Sequence, residues 1–411
     1  MRRVVITGIG LVGPTGIGPD AFWRSLIDGC SGIGPITRFD ATSYPCRIGG
    51  EVKDRSYEEL IDPRKRRITT HVTQLGLAAA ELALRDAHLP NGRYEPTMTG
   101  VMVGTALGGW REGEQQYGIL LERGIRRVNP FVANGAPSHN PGIEIAATVN
   151  AQGPHVTFST GCSSSLQAIG YGASLIERGD LDICLAGGVE SPLSPVVLAS
   201  MARTQELSTR NDEPERASRP FDAEHSGLVL SEGGCFFLLE SLEGAVRRGV
   251  RPYGEVIGLA SSCDAKGVYG VDATGEAAAH AIHRLLKRSG KTASDLDYIC
   301  AHANSSPAFD IKETVVLKRA FGEFAEQLPV SSIKGIVGHS LGASGAFELA
   351  AAVLAIRHQT IPPTHNLETP APECDLDYVP GSPRPAPLRT VLITNYGYGG
   401  VNTYLLVAAT S

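Results

Sequence analysis

Two periodicities of apolar and polar positions alternate along the chain. Short apolar, β-branched runs at 3–9, 100–104, 155–158, 183–186, 234–239, 253–260, 298–301, 391–394 and 403–407 have the length and composition of buried strands. Between them, apolar positions recurring every three or four residues predict helices over 20–27, 68–87, 162–178, 276–288, 310–321 and 340–358. Strand and helix alternating from end to end predict a layered α/β fold. A composition shift near 245–260 suggests two halves, 1–250 and 251–411, each with a reactive-looking residue after a strand. That hints at duplication, although the identity between the halves is too weak to establish a repeat. The Pro-rich stretch 369–387 resembles a linker and precedes the last strands.

One glycine pattern has to be weighed first. Gly8, Gly10 and Gly13 follow the first strand in the spacing GxGxxG, a dinucleotide fingerprint. Pro14, Gly16 and Gly18 follow at once, so no helix begins where a pyrophosphate needs one. The pattern reads as a glycine-rich turn.

Composition narrows the class further. Hydrophobic content of 42% and charged content of 19% describe an ordinary globular chain, and the net charge of −6 argues against nucleic-acid binding. The apolar segment 349–356 is short and preceded by Glu348, so it predicts a buried helix and no membrane span. The eight cysteines form no CxxC pair, which points away from zinc or other metal sites and toward a reducing cytoplasm.

Against that background one cysteine stands out. The run 156–158 breaks at Thr160-Gly161 and delivers Cys162 into the first turn of a helix. Unpaired main-chain N–H groups there stabilise a thiolate and can receive a carbonyl oxygen that becomes an oxyanion. Two histidines stand beside Gly/Ser-rich turns far downstream: His302 ends an apolar run, and His339 opens a helix of small residues. The other nine histidines lack such a setting.

Taken in order, Cys162, His302, Lys334 and His339 resemble the elongating, two-histidine β-ketoacyl-(acyl carrier protein) synthases of fatty-acid and polyketide synthesis. The resemblance runs from Val4-Val5-Ile6-Thr7-Gly8 to Gly397-Tyr398-Gly399-Gly400-Val401-Asn402, through Ala186-Gly187-Gly188-Val189-Glu190 and Ser218-Arg219-Pro220-Phe221-Asp222. It implies the thiolase fold, two similar α/β halves in an α-β-α-β-α arrangement, usually dimeric. It implies that Cys162 takes the acyl chain, that His302 and His339 assist malonyl decarboxylation, and that Lys334 orients His302. The N–H of Cys162 and one from the loop Gly397, Tyr398, Gly399, Gly400 would form the oxyanion hole. Leu107 would lie near the acyl pocket floor, with Phe131 reaching in from a dimer partner. No cofactor is implied beyond the phosphopantetheine arm that carries the substrates.

Supporting residues are read alongside. Asp310 and Glu313, one turn of helix after His302, either tune its charge or only stabilise a helix N-terminus. Glu348 in an apolar helix needs a partner. Arg64, Lys65, Arg66 and Arg67, with Arg123, Arg126 and Arg127, form basic patches on an acidic chain, suiting an acidic carrier protein or simply a solvated face. Departures from the family pattern are Ala303 and Asn304 after the first histidine, Tyr396 and Tyr398 for phenylalanines in the gating loop, and Val401 for threonine.

The expected reaction is a decarboxylative Claisen condensation, in a type II polyketide or specialised fatty-acid pathway. Alternatives are housekeeping fatty-acid elongation, or a subunit active only as a heterodimer with a ketosynthase-like chain-length factor. A hydrolase or simple acyltransferase leaves the second histidine and Lys334 without a task, and a passive partner would lack the cysteine.

Overall fold

The computed structural model describes residues 1–410 apart from Asn91 and Tyr269. Ten strands carry the architecture: β1 Val4–Gly13, β2 Thr99–Gly104, β3 His155–Phe158, β4 Ile183–Glu190, β5 Gly233–Ser241, β6 Gly254–Cys263, β7 Tyr298–Cys300, β8 Val330–Ser331, β9 Thr390–Gly397 and β10 Val401–Ala408. The helices that matter for the site are α1 His71–Asp86, α2 Trp110–Arg123, α3 Ser164–Arg178, α4 Glu276–Arg288, α5 Pro307–Phe321 and α6 Ser344–His358.

The strands lie side by side in the order β8-β7-β9-β10-β6-β1-β5-β4-β2-β3. Outward from the middle, the first half reads first, fifth, fourth, second, third strand, and the second half reads the same. Pairing senses repeat as well: antiparallel twice, then parallel twice, on each side. The duplication hinted at by the sequence is thus plain in the topology, where strand order survives although residue identity does not. In the sheet the two sides meet along a short antiparallel stretch, Val4 to Ile6 against Val256 to Gly254.

Helices α3 and α6 pack on each other and on strands of both halves, while α1 covers β1 and β5 and α4 covers β6 and β10. The layers therefore run helix, sheet, helix, sheet, helix. Burial explains why α6 has no polar face: every residue from Ser344 to Ile356 is buried, so it is apolar all round.

The GxGxxG pattern is strand, not turn: β1 continues through Gly13, beyond the stretch 3–9 that its apolar residues predict. A Cβ on Gly8 would lie 2.1 Å from the Ala83 carbonyl oxygen, and one on Gly10 1.8 Å from that of Ala79. These glycines let α1 press against the strand, and the next helix begins only at Pro19.

Candidate active site

The turn that carries the nucleophile is set by close backbone approach. A Cβ on Gly104, at the end of β2, would sit 2.2 Å from the main-chain nitrogen of Ser165, so glycine there brings the start of α3 against the sheet. Gly161 adopts φ +62°, and Gly161–Ser163 forms a tight 3-10 turn before α3. Cys162 therefore sits just ahead of the α-helix and not within its first turn, and it is 3% exposed.

The second half repeats the device. Leu341–Ala343 forms a 3-10 turn and α6 follows at Ser344. Just upstream, Gly338 at φ +70° aims His339, whose N–H donates to the Val229 carbonyl and whose carbonyl accepts from Ser231. His339 Nε2 lies 3.1 Å from Cys162 Sγ. The His302 ring stands 5.2 Å from the His339 ring, nearly perpendicular at 86°. One imidazole thus meets the thiol and a second stands edge-on against the first, all three residues buried.

Lys334 sets the electrostatics. Its Nζ bonds the His302 carbonyl and the Glu348 carboxylate, and lies 3.5 Å from His302 Nδ1. An ammonium facing Nδ1 favours the ring proton on Nε2, and the Asn304 Nδ2 amide, itself a donor 3.4 Å from that nitrogen, then makes no hydrogen bond to it. Glu348 is the buried carboxylate whose partner the sequence demands, and that partner is Lys334. Its other oxygen accepts from Asn395 Nδ2 at 2.8 Å.

Burial, reinforced by the Lys334 charge, holds His302 and His339 well below the ordinary imidazole range, so both are neutral at physiological pH. The Cys162 thiol departs from the expectation of a stabilised thiolate. Burial pushes it up to about 12, outweighing Lys334 and a hydrogen bond from the Tyr398 main-chain N–H. The resting site holds a thiol beside a neutral base.

Asp310 and Glu313 do not touch the His302 ring. Glu313 accepts from the main-chain N–H groups of His302 at 3.1 Å and Ala303 at 2.7 Å. Asp310 accepts from Asn304 N–H at 2.9 Å and Phe221 N–H at 2.8 Å, with His225 Nδ1 at 3.0 Å. Both carboxylates shape the backbone that presents His302.

A cavity of about 210 Å³ opens beside Cys162, lined by residues that include Ala106, Met201, Thr204, Glu206, Leu341 and Tyr398. Leu107 packs next to this lining without forming part of it. Phe131 is 49% exposed and does not reach its own chain's cavity. The basic cluster occupies the short helix Pro63–Ile68, where Lys65 pairs with Glu144 and Arg66 with Glu58. Arg123 ends α2, and Arg126 and Arg127 follow in the next turn. Residue 71, near the first cluster, meets Glu112 at the start of α2. The two patches are therefore separated by about one 14-residue helix, roughly 20 Å.

Three supports were not foreseen. Glu190 gathers N–H groups from Ala106, Leu107 and Gly342 and the Thr105 hydroxyl, tying the two tight turns together. Asn395 bridges Glu348, Ser344 and Ser163. Buried Lys312 bonds Asp264 and Asn402 beneath the 397–400 loop. The signal available for Glu190 and Asn395 was a polar residue at or near the end of a buried strand, whereas Lys312 was masked among Asp310, Glu313 and Thr314. Among the described residues, no group of three or more His, Cys, Asp or Glu could hold a metal ion.

The arrangement can be set against known proteins. The Beta-ketoacyl synthase N-terminal domain family matches residues 1–245, and the corresponding C-terminal domain family matches 253–368. The chain belongs to the β-ketoacyl synthase family. Its fold is the thiolase fold, and it is an acyltransferase-type enzyme. It is 39% identical over 404 residues to 3-oxoacyl-[acyl-carrier-protein] synthase 2 of Synechocystis sp., covering 98% of this chain and 97% of that one. It is 40% identical over 414 residues to the tetracenomycin polyketide synthase ketoacyl synthase alpha subunit of Streptomyces glaucescens, covering 99% and 97%. The solved ishigamide ketosynthase/chain length factor superposes with a TM-score of 0.94 at 29% identity, over 100% of each chain.

Proposed function

We propose that Cys162 accepts an acyl chain from a carrier-protein thioester and extends it by decarboxylative condensation with malonyl-carrier protein. The observation that carries this reading is a thiol 3.1 Å from one neutral imidazole, with a second imidazole against the first and a lysine behind it.

The steps follow from the geometry. Sγ attacks the thioester carbonyl while its proton passes to His339 Nε2 and then to the leaving carrier thiol. The N–H groups of Cys162 and Tyr398 face the oxyanion. When malonyl-carrier enters, its C–C bond breaks, CO₂ leaves, and the enolate oxygen takes N–H bonds from His302 and from His339, whose single ring proton has by then moved from Nδ1 to Nε2. The carbanion attacks the Cys162 thioester and breaks its C–S bond, giving a 3-ketoacyl carrier two carbons longer and a Cys162 thiolate that takes a proton from water to restore the thiol. Lys334 and Glu348 hold His302 neutral and oriented. No cofactor beyond the carrier's phosphopantetheine arm takes part in these steps.

The halves divide at 250/251, between β5 and β6. An acyl carrier protein docks on the basic face that includes Arg64, Arg67, Arg123, Arg126 and Arg127. A homodimer, or a heterodimer with a chain-length factor, forms over the apolar side chains Trp110, Tyr117, Leu121, Ile125 and Phe131, which α2 and the segment after it leave exposed. A partner's Phe131 then reaches the pocket near Leu107. The named relatives lie on both the fatty-acid and the polyketide side, and the Gly161-Cys162-Ser163-Ser164-Ser165 run supports a type II polyketide or specialised fatty-acid pathway, in the cytoplasm, with the departures at Ala303, Asn304, Tyr396 and Tyr398 bearing on substrate choice within it. No helix among the described residues is long and apolar enough to cross a membrane.

The test is intact mass after mixing the protein with a short acyl-carrier thioester and malonyl-carrier. Acyl-Cys162 followed by a two-carbon-longer 3-ketoacyl carrier supports the reading. Acylation without elongation, even with a ketosynthase-like partner added, argues for a non-condensing acyltransferase.

A further inference from the structure

Two side chains beside Cys162 have no part in the steps above. Tyr398 stands at the tip of the β9–β10 hairpin, which closes with Gly397 opposite Val401. The two residues after it are glycines at φ +86° and φ +79°. The Tyr398 phenol donates to the Glu206 carboxylate, and its main-chain N–H donates to Cys162 Sγ. Its ring meets Phe309 edge-on, with centroids 5.2 Å apart.

Glu206 sits on firmer ground. Its N–H donates to the Met201 carbonyl at 3.2 Å, and its carbonyl accepts from Leu228 N–H at 2.9 Å. Both side chains line the cavity that opens on the sulfur. Admitting a bulky chain past Tyr398 means moving its ring, which breaks a charge-assisted hydrogen bond. The glycines give the hairpin tip freedom to move. The bond on sulfur belongs to the same residue, so the phenol and the oxyanion donor shift together.

We propose that Glu206 is a positioning residue: by latching the Tyr398 phenol it closes the acyl cavity and holds the Tyr398 N–H against Cys162. The inference rests on Cys162 being the acyl-accepting thiol. A plain phenylalanine at 398 would have no such latch, so access to the pocket in this chain is set by a pair of residues and not by ring bulk alone.

The experiment is the rate of Cys162 alkylation by fluorescein maleimide, read peptide by peptide because Cys30 and Cys263 are exposed while Cys162 is buried. Tyr398→Phe and Glu206→Ala should each raise the rate on the order of tenfold, as expected for losing one hydrogen bond to a charged group. The double variant should label no faster than either single one. Glu206→Gln, which keeps a neutral acceptor, should stay within about threefold of the parent. Parental rates in both single variants, or effects that multiply in the double, overturn the latch while leaving the thiol reading intact. Absence of label on Cys162 in every protein, the parent included, overturns the thiol reading and the latch with it.

Discussion

The two halves build the same corner and use it differently. In the first, β3 runs through the turn Gly161–Ser163 into α3; in the second, Leu341–Ala343 leads into α6. The first corner carries Cys162. In the second the middle residue is Gly342, where a Cβ would lie 2.4 Å from the Ala106 main-chain nitrogen and 2.7 Å from a Glu190 oxygen. Space that holds a nucleophile on one side holds a structural clamp on the other. The second half contributes instead the groups around the turn: His339 before it, Lys334 and His302 further back, and Glu348 on α6. One fold unit, used twice, has become a nucleophile half and a decarboxylation half.

That division is open to direct attack. The largest effect should come from Cys162→Ala, with acyl loading falling about a thousandfold or more by intact mass, since Cys162 is the thiol that meets His339 Nε2. His339→Ala should lower decarboxylation by about a hundredfold or more and loading by less, because only the enolate needs both N–H donors; parallel rates of carrier loading and malonyl-carrier consumption separate the two. Gly342→Ala should leave the chemistry's residues in place yet cost several °C of melting temperature, through overpacking of about 1–3 kcal/mol between Ala106 and Glu190. Lys334→Met strips Glu348 of its partner and should cost about 3 kcal/mol of stability by chemical denaturation.

The last test is in pH, where the thiol should respond and condensation should not. The Cys162 thiol sits up near about 12, so its thiolate fraction grows tenfold per pH unit, and alkylation by iodoacetamide should climb without a plateau from pH 7 to pH 10. His302 and His339 lie well below 6.5, so acidification from pH 7.5 to 6 should protonate neither. Condensation should hold level over that range; a fall with a midpoint near 6.5 would place an unperturbed imidazole in the site.

Much of this was legible in the chain. Cys162, His302 and His339 announce themselves locally, because each ends a strand or opens a helix beside small residues, and turn chemistry is a short-range signal. Strand and helix positions followed from periodicity, and failed where packing overrode it, as in the glycines of β1, which are strand because α1 must approach them. The supports were opaque for a different reason. Glu190 meets Gly342 across 152 positions, and Tyr398 meets Glu206 across 192. Such pairs are set by how the halves are laid together, which no local pattern encodes. The same is true of Cys162's protonation: the helix end suggested a thiolate, and burial, a property of the finished fold, reversed it.

The central claim is the division of labour between halves, and the most direct test compares Cys162→Ala with His339→Ala on malonyl-carrier protein alone and on acyl-carrier protein alone. The account predicts that Cys162→Ala still converts malonyl- to acetyl-carrier but takes no acyl chain. It predicts that His339→Ala still takes the acyl chain, more slowly for want of the base, but leaves malonyl-carrier largely intact. Loss of both reactions in both variants, or the opposite assignment, would contradict it.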